Sequence, residues 1–215
     1  MMPSSSLEWI HTKEPVSYDA ALAFMKSRVL EIHQAQASEC IWHLEHPSLY
    51  TSGTGSSLYD DLKDPKKPLP FPLYPTGRGG RLTYHGPGQD IFYCIINLKK
   101  HFVPLDLKQF IKVLEQWVIE ALKKINVVGV RREGLIGVWT QDFSGEFVKI
   151  AALGIRIRHW VSFHGIALNR NVTLSHYDPI IPCGLKSDKV TSLKELGFLL
   201  SSDEVDSLLR QTCPF

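Results

Sequence analysis

The sequence predicts an α+β fold in which one mixed or antiparallel β-sheet is packed by helices. Helical patterns are separated by groups of strand-like runs, so the strands outnumber the helices that could cross between them. The chain has 215 residues, 44% of them hydrophobic, which is enough for one domain with a substantial core. No internal repeat and no linker-like change of composition divides it. We therefore expect residues 1–215 to form a single domain.

Three segments carry helical signals. Residues 18–32 place apolar side chains at helical spacing, and Ser17 can cap their start. Residues 106–125 carry a continuous apolar stripe at helical spacing, and Asp106 can cap its start. This segment is the clearest predicted helix of the chain. Ser201 and Glu204 have the spacing of a capping box and predict a last short helix that ends near Arg210.

The strands are predicted from short apolar runs bounded by Gly, Pro and polar residues. The predicted strands are residues 40–44, 82–84, 91–98, 127–131, 135–140, 147–158 and 161–168. The run at 91–98 is almost wholly apolar, which predicts burial on both faces. The polar residues 141–145 predict a hairpin turn between two of these strands.

Composition excludes several classes of protein. A net charge of +2 is too small to indicate nucleic-acid binding. No apolar run reaches the roughly 20 residues that span a bilayer, and the N-terminal residues lack the pattern of a secretory signal. Cys40, Cys94, Cys183 and Cys213 lie far apart without CxxC spacing, which favours a reducing compartment over a disulfide framework. We expect a soluble intracellular protein.

A metal site is not expected. His43, Glu45 and His46 form a local cluster, but the spacing of familiar helical metal motifs is absent.

Cys183 is the first candidate for chemistry. Pro182 fixes its own φ and Gly184 frees the backbone after the sulfur, which suits a thiol in a loop better than one packed in a strand. The alternative is a small buried hydrophobic residue, which is the commoner state of a cysteine. A nucleophilic thiol also needs a cation or base to help it ionise, and none is adjacent in sequence.

Lys149 is the second candidate, because it interrupts an otherwise apolar strand between Val148 and Ile150. The residues alone favour a lysine on the solvent face of a half-exposed strand. An inward lysine could instead partner a reactive thiol. His85 and His164, each followed by glycine, could be ligands, acid–base groups or turn residues.

The glycine-rich stretch Arg78 to Gln89 is expected to form a wall of the pocket into which Cys183 points. Gly77 to Gly80, at the start of this stretch, could cradle a phosphate through backbone N–H groups. It lacks the Lys-Ser/Thr pair and the strand–helix context of a P-loop, so the nucleotide signal is weak.

These stretches together resemble the signature of lipoyl(octanoyl) transferases. The matching motifs are Arg78-Gly79-Gly80, Thr83-Tyr84-His85-Gly86-Pro87-Gly88-Gln89, Lys149-Ile150-Ala151-Ala152-Leu153-Gly154, Phe163-His164-Gly165-Ile166-Ala167-Leu168-Asn169 and Pro182-Cys183-Gly184. They follow the family's order over residues 40–200. Arg81, where many members carry glutamine, and the long polar turn at 141–146 depart from the pattern.

The resemblance implies a fold shared with biotin protein ligases and lipoate ligases. It also implies a reaction in which octanoyl-acyl carrier protein gives its octanoyl group to a lysine of a lipoyl domain, through a thioester on Cys183 with Lys149 as its partner. This is the first step of endogenous protein lipoylation. The acyl-binding residues implied are Arg78, Gly79, Gly80, Arg81, Leu82, Thr83, Tyr84, His85, Ala152, Leu153, Gly154, Gly165, Ile166 and Ala167, with His164 and Asn169 in support.

The acceptors implied are the lipoyl domains of 2-oxoacid dehydrogenase complexes and the H protein of glycine cleavage. No cofactor, nucleic acid or membrane is expected, and the location is the bacterial cytoplasm or, in a eukaryote, the mitochondrial matrix. Two alternatives remain open. One is an ATP-dependent lipoate or biotin ligase on the same fold. The other is a non-catalytic module that docks acidic acyl carrier or lipoyl domains through Arg131, Arg132, Arg156 and Arg158.

Overall fold

The computed structural model describes residues 7–181 and 189–215, and it confirms the predicted α+β class. Its helices are α1 (Tyr18–His33), α2 (Leu58–Asp61), α3 (Leu98–His101), α4 (Leu107–Lys123) and α5 (Ser202–Gln211). Its strands are β1 (Glu8–His11), β2 (Cys40–Leu44), β3 (Leu49–Ser52), β4 (Leu73–Pro75), β5 (Thr83–His85), β6 (Gln89–Ile95), β7 (Val130–Arg132), β8 (Leu135–Gln141), β9 (Phe147–Arg158), β10 (Val161–Asn169) and β11 (Lys189–Val190). The predicted nucleophile Cys183 lies outside the described residues.

Two sheets form where one was predicted. The larger sheet is mixed, with strand order β1-β2-β6-β10-β9-β8-β7, and β11 pairs with β9. Strands β1 and β11 run parallel to their partners, whereas the other pairs in this sheet are antiparallel. The smaller sheet has the order β4-β3-β5. Its strands are three or four residues long, too short to show a clear hydrophobic period, so the sequence did not predict it.

The three long helices begin at the predicted caps. The Ser17 side chain accepts a hydrogen bond from a backbone N–H in the first turn of α1, and Asp106 does the same for α4. Both hydrogen bonds of the capping box between Ser201 and Glu204 are present at the start of α5. These local signals fixed the helix starts independently of the rest of the fold.

Strand β6 is buried along its whole length, as predicted. Its side chains alternate between two cores, because successive residues of a strand point to opposite faces. Ile91, Tyr93 and Ile95 pack in the core that contains α1, whereas Phe92 and Cys94 pack in the core that contains α4 and α5. Each fully buried large apolar side chain contributes about 1.5–3 kcal/mol, so the sheet is held from both faces.

Some predicted boundaries move for local reasons. The predicted strand 91–98 ends at Ile95, because Asn97 caps the short helix α3 with its side chain. The predicted strand 127–131 begins only at Val130, because the Val127 N–H still donates to the Leu122 carbonyl at the end of α4. The predicted strand 82–84 moves by one residue to become β5.

The small sheet lies against a third core and positions the glycine-rich stretch. The buried members of this core are Tyr50, Leu82, Tyr84, Val172, Tyr177 and Ile180. From this support the stretch reaches across to the large sheet, where the Gly79 N–H donates to the Ile155 carbonyl of β9 at 2.9 Å. Within residues 7–181 and 189–215, no helix is both long enough and apolar enough to cross a membrane.

Candidate active site

A cavity of about 310 Å³ lies where the glycine-rich stretch faces β9 and β10. Most of the residues proposed for the site line this one cavity, although they come from three separate parts of the chain. The predicted residues in its lining are Arg78, Gly79, Gly80, Arg81, Leu82, Thr83, His85, Lys149, Ala152, Leu153, Gly154, His164, Gly165, Ile166 and Ala167. The glycine-rich stretch therefore lines this cavity together with residues of β9 and β10.

Tyr84 and Asn169 are not part of the lining. The Tyr84 hydroxyl lies 2.9 Å from Ser48 Oγ and 2.8 Å from His176 Nδ1, within the core under the small sheet. Asn169 Nδ2 donates to the Thr191 carbonyl at 2.9 Å, so this side chain joins the end of β10 to the segment after β11. Both residues support the walls of the cavity from behind.

Lys149 is buried, with only 4% of its surface exposed, and the solvent-facing position favoured by the residues alone is wrong. Its Nζ donates to the Ile136 carbonyl at 3.1 Å and lies 4.7 Å from the centre of the Trp139 ring. A carbonyl acceptor and the face of an indole are both contacts that an ammonium group makes. The structure therefore holds a cation in the cavity wall.

The backbone around Lys149 is shaped to admit this side chain. Strand β8 changes register against β9 between Val138 and Trp139. At the preceding Gly137 φ is +135°, and a Cβ there would come within 3.3 Å of Lys149 Nζ. Only glycine adopts this conformation readily and leaves the space that the lysine fills.

Residues 182–188, which include Cys183, lie outside the described residues, and the residues on both sides of this segment make defined contacts. Before it, the Ile181 N–H donates to the Asp61 carbonyl at 2.7 Å. After it, β11 pairs with β9, with Val190 opposite Lys149. Residues 182–188 thus connect to a strand that is a direct neighbour of Lys149.

The Arg78 side chain holds the glycine-rich stretch in place through hydrogen bonds to backbone carbonyls. It is 7% exposed, and its guanidinium donates to the Thr51 carbonyl at 2.7 Å and to the Arg81 carbonyl at 3.0 Å. A Cβ on Gly154 would come within 2.8 Å of the Arg78 side chain, so this glycine permits the close packing. The stretch is therefore fixed in place by its own arginine.

The same stretch is poorly suited to hold phosphate. The Gly79 N–H is already bonded to the Ile155 carbonyl. The Arg156 guanidinium covers Gly77 so closely that a Cβ there would overlap it. A phosphate cradle needs several N–H groups that point into one open concavity, and this arrangement does not favour one.

One end of the cavity is buried and lined by polar aromatic rings. The Tyr18 hydroxyl lies 3.0 Å from His164 Nε2, and the Tyr93 hydroxyl lies 2.6 Å from His46 Nε2. His85 Nδ1 lies 2.7 Å from Gln89 Oε1. These contacts pair most of the polar side-chain atoms at this end, but His164 Nδ1 is buried without a hydrogen-bond partner among the described residues.

The histidines at this end are neutral at physiological pH. Burial lowers the pKa of His85 and of His164 to about 3, and that of His46 to about 4. Burial likewise raises the pKa of Tyr18 to about 12. None of these groups titrates near pH 7, where a general base works best.

The other end of the cavity is apolar and open. Leu107 at the start of α4 is 42% exposed and Ile136 on β8 is 52% exposed, although both line the cavity with Ile111 and Leu135. Because Lys149 donates to the Ile136 carbonyl, the cation lies on the side of this opening. The cavity therefore runs from an open apolar mouth beside a lysine to a closed polar end.

The sequence did not identify the residues from α1, α4 and β6 in this lining. Tyr18 and Tyr93 looked like ordinary core positions, and Leu107 and Ile111 belonged to the apolar stripe of α4. A tyrosine at the first turn of an amphipathic helix was the only local signal, and it is a weak one.

Among the described residues, His11, His43 and Asp206 are the set whose ligand atoms approach closely enough for a metal, within 4.8 Å. The rings of His11 and His43 are stacked, with centres 4.2 Å apart and planes at 19°. A metal in the plane of one ring would lie out of the plane of the other. This arrangement does not suit metal binding.

His43 instead belongs to a buried ion network. Its Nδ1 lies 2.9 Å from Asp206 and its Nε2 lies 3.0 Å from Asp90. Burial acts to lower the pKa of His43, but the hydrogen bonds to Asp206 and Asp90 outweigh it and raise the pKa above its ordinary value. Glu45 joins this network through Arg170, which also donates to Asp90, whereas His46 lies apart from it and contacts Tyr93.

Comparison with known proteins agrees with this geometry. The chain matches the family model described as the lipoyl protein ligase A/B catalytic domain over residues 17–213. It is 45% identical over 206 residues to an octanoyltransferase of Rhodospirillum rubrum, covering 96% of this chain and 93% of that one. It is also 45% identical over 208 residues to an octanoyltransferase of Paramagnetospirillum magneticum, covering 97% and 95%.

Solved structures share the fold at low sequence identity. A putative lipoate protein ligase from T. acidophilum with bound lipoic acid aligns with a TM-score of 0.68 at 15% identity, over 95% of this chain and 83% of that one. A lipoate-protein ligase A bound with ATP aligns with a TM-score of 0.67 at 14% identity, over 96% and 82%. At these identities the likeness shows the architecture alone.

Proposed function

Because the chain belongs to the octanoyltransferase family, we propose that it moves an octanoyl group from octanoyl-acyl carrier protein to the lysine of a lipoyl domain, the first step of endogenous protein lipoylation. The observation that best supports this reaction is the buried Lys149 in the wall of a cavity lined by the residues expected to bind the acyl chain. The apolar mouth and the neutral far end suit an aliphatic chain.

In the first half-reaction, the Cys183 thiolate attacks the carbonyl carbon of the donor thioester. The bond from that carbon to the pantetheine sulfur breaks, and the leaving sulfur takes a proton from the Lys149 ammonium. The products are the octanoyl thioester of Cys183 and free acyl carrier protein. The Lys149 ammonium also favours the thiolate before the attack, because a nearby cation stabilises it.

In the second half-reaction, the amine of the lipoyl-domain lysine attacks the Cys183 thioester. Lys149, now a neutral amine, accepts a proton from the attacking nitrogen, and the Cys183 thiolate leaves. The amide product is more stable than the thioester, so the transfer needs no nucleotide. One pocket thus serves two protein substrates in turn, and the site returns to its starting protonation state.

The acceptor proposal has support from a structural relative. One aligned structure is that of an archaeal bi-partite lipoate protein ligase and its E2 lipoyl domain from Thermoplasma acidophilum. For this chain we propose the lipoyl domains of 2-oxoacid dehydrogenases and the H protein of glycine cleavage as acceptors. We also propose that residues 1–215 act as one domain, because the two larger cores share the strands of one sheet. The bacterial relatives support a location in the bacterial cytoplasm; in a eukaryote the location would be the mitochondrial matrix.

The main alternative is an ATP-dependent ligase, since an aligned structure of the same fold binds ATP. The contact of Gly79 argues against it, because its N–H already donates to the Ile155 carbonyl and is not offered to a phosphate. The alternative of a non-catalytic docking module gives no reason to bury Lys149 in the cavity wall.

The test is transfer from purified octanoyl-acyl carrier protein to a lipoyl domain in EDTA without ATP, followed by intact-mass spectrometry of all three proteins. We expect an octanoyl amide on the lipoyl domain and a hydroxylamine-labile octanoyl group on the enzyme, which Cys183→Ala should lose. A strict requirement for ATP and magnesium would assign the chain to the ligases. Full transfer by Cys183→Ala would refute the covalent route.

A further inference from the structure

Glu115 is a buried carboxylate on α4, and the apolar packing of this helix does not explain why a charged residue lies there. It is 5% exposed on a helix face that otherwise packs apolar side chains. Its Oε1 accepts a hydrogen bond from the Gly137 N–H at 3.0 Å, and its Oε2 lies 3.3 Å from Arg131 Nε. A buried carboxylate is costly unless its partners compensate it. The carboxylate therefore holds a specific backbone group of β8.

The Gly137 N–H and the Ile136 carbonyl belong to the same peptide group. The N–H of this group donates to Glu115, and its carbonyl accepts from Lys149 Nζ at 3.1 Å. A carboxylate at the N–H end polarises the peptide so that its oxygen becomes a better acceptor for the ammonium. One peptide thus connects a buried anion on α4 to the buried cation of β9.

Glycine at position 137 makes this peptide easy to misorient. Its φ of +135° lies in a region that glycine enters readily, so the group could rotate without the steric cost that other residues pose. After such a rotation the Ile136 carbonyl would no longer point to Lys149. The hydrogen bond to Glu115 opposes the rotation.

We propose that Glu115 is a positioning residue for Lys149, which it holds in place by fixing the orientation of the Ile136–Gly137 peptide. The inference rests on the proposed function in one respect, because it takes Lys149 as the group that moves protons during transfer. Glu115 itself touches neither substrate nor the reacting atoms.

Glu115→Gln and Glu115→Met form a matched pair for the test. Both side chains are close to glutamate in length, and both lose the ion pair to Arg131, but only glutamine keeps an oxygen that can accept from Gly137. We expect Glu115→Gln to keep kcat within a few-fold of the wild type. We expect Glu115→Met to lose about 100-fold in kcat, as a misplacement of about 1 Å does, with KM for both protein substrates unchanged.

Glu120→Met is the control for helix α4, because Glu120 is exposed on the same helix. Lys149→Met is assayed beside these variants. If Lys149→Met transfers at the wild-type rate, the proposed function fails. If Lys149→Met is inactive but the two Glu115 variants have equal kcat, fast or slow, the positioning inference alone is overturned.

Hydrogen exchange provides a second test if Glu115→Met does not fold. In the wild type and in Glu115→Gln, the Gly137 amide should exchange far more slowly than the amide of Gly134 in the exposed turn between β7 and β8. Equal exchange of the two glycine amides in the wild type would overturn the inference.

Discussion

Lys149 and His43 are both buried ionisable residues on strands of the large sheet, and they are held in opposite ways. Two carboxylates, Asp90 and Asp206, contact the two ring nitrogens of His43. The contacts described for Lys149 are a backbone carbonyl and the face of Trp139. A charge held between opposite charges is costly to remove. The arrangement of His43 therefore suits structure, whereas Lys149 lines the cavity, which suits proton transfer.

The His43 network also connects distant parts of the chain. Asp90 on β6 accepts hydrogen bonds from Arg170 Nε at 2.9 Å and from Oγ of Ser202, the first residue of α5, at 2.8 Å. Asp206 on α5 accepts a hydrogen bond at 2.8 Å from the indole N–H of Trp9, which lies on β1. The network thus ties an edge strand and the last helix to the centre of the sheet, which is a role in stability.

The largest effect should come from Lys149→Met. Methionine keeps the length of the side chain but removes both the charge and the proton carrier, so we expect transfer to slow by about 10²- to 10⁴-fold. The melting temperature should change little, because an apolar side chain of similar length suits this buried position. Lys149→Arg should not restore transfer, since a guanidinium does not release its proton in proteins. Single-turnover transfer rates and thermal melts of the three proteins would measure the effects on transfer and on stability. A normal transfer rate in Lys149→Met would contradict a role for Lys149 in proton transfer.

Asp90→Asn should show the reverse behaviour. Removing one charge from the buried network leaves His43 and Arg170 undercompensated, and we expect the free energy of unfolding to fall by about 3–5 kcal/mol. The folded fraction should still transfer octanoyl groups within a few-fold of the wild-type rate. Urea unfolding and transfer assays at low temperature would measure the two effects. A large loss of kcat with unchanged stability would show that the network belongs to the active site.

Gly137→Ala should affect both stability and transfer. The positive φ costs about 1–3 kcal/mol for a residue with a Cβ, and that Cβ would also lie 3.1 Å from Lys149 Cε. Gly145→Ala is the matched control, because its φ is +83° but no atom lies within 4 Å of the added Cβ. We expect a larger loss of stability in Gly137→Ala than in Gly145→Ala, because the Gly137 Cβ would also lie 2.9 Å from the Ala151 carbonyl oxygen, and a drop in kcat of about tenfold or more only in Gly137→Ala. Equal kcat values would show that the space around Lys149 is not critical.

The smallest effect concerns the pH dependence of stability. Although burial opposes it, hydrogen bonds to Asp206 and Asp90 raise the pKa of His43 above its ordinary value of 6.5. The stability that this group contributes is therefore complete below about pH 6.5 and is lost as the pH rises through the raised pKa. We expect the difference in unfolding free energy between the wild type and His43→Leu to shrink from pH 6.5 upward. A difference independent of pH would argue against a charged His43.

The sequence predicted elements whose signals are local and missed those that depend on distant partners. The start of α4 was readable because the Asp106 cap and the apolar stripe lie within one segment. Strands β3 and β4 could not be predicted in this way. They are only three or four residues long, and they pair in parallel although a long segment that includes α2 separates them in the sequence. Their pairing depends on the core around Tyr50, which no short window of the sequence displays.

The site divides in the same way. The motifs around Arg78, Lys149 and Gly165 identified which stretches to bring together, and the cavity lining includes all three. The inward position of Lys149 could not be predicted, because it depends on the irregular pairing at Gly137 and on β11, which arrives from 40 residues further along the chain. Glu115 gave no signal, since a lone glutamate on an amphipathic helix is usually exposed.

The stacking of Lys149 on Trp139 has an optical consequence. The emission of an indole depends on the charges next to its ring, and here a cation lies on the ring of a fully buried tryptophan. Any step that removes or moves that cation changes the local electric field at the fluorophore. The difference in fluorescence between the wild type and Trp139→Phe therefore reports the state of the lysine in real time, without a label.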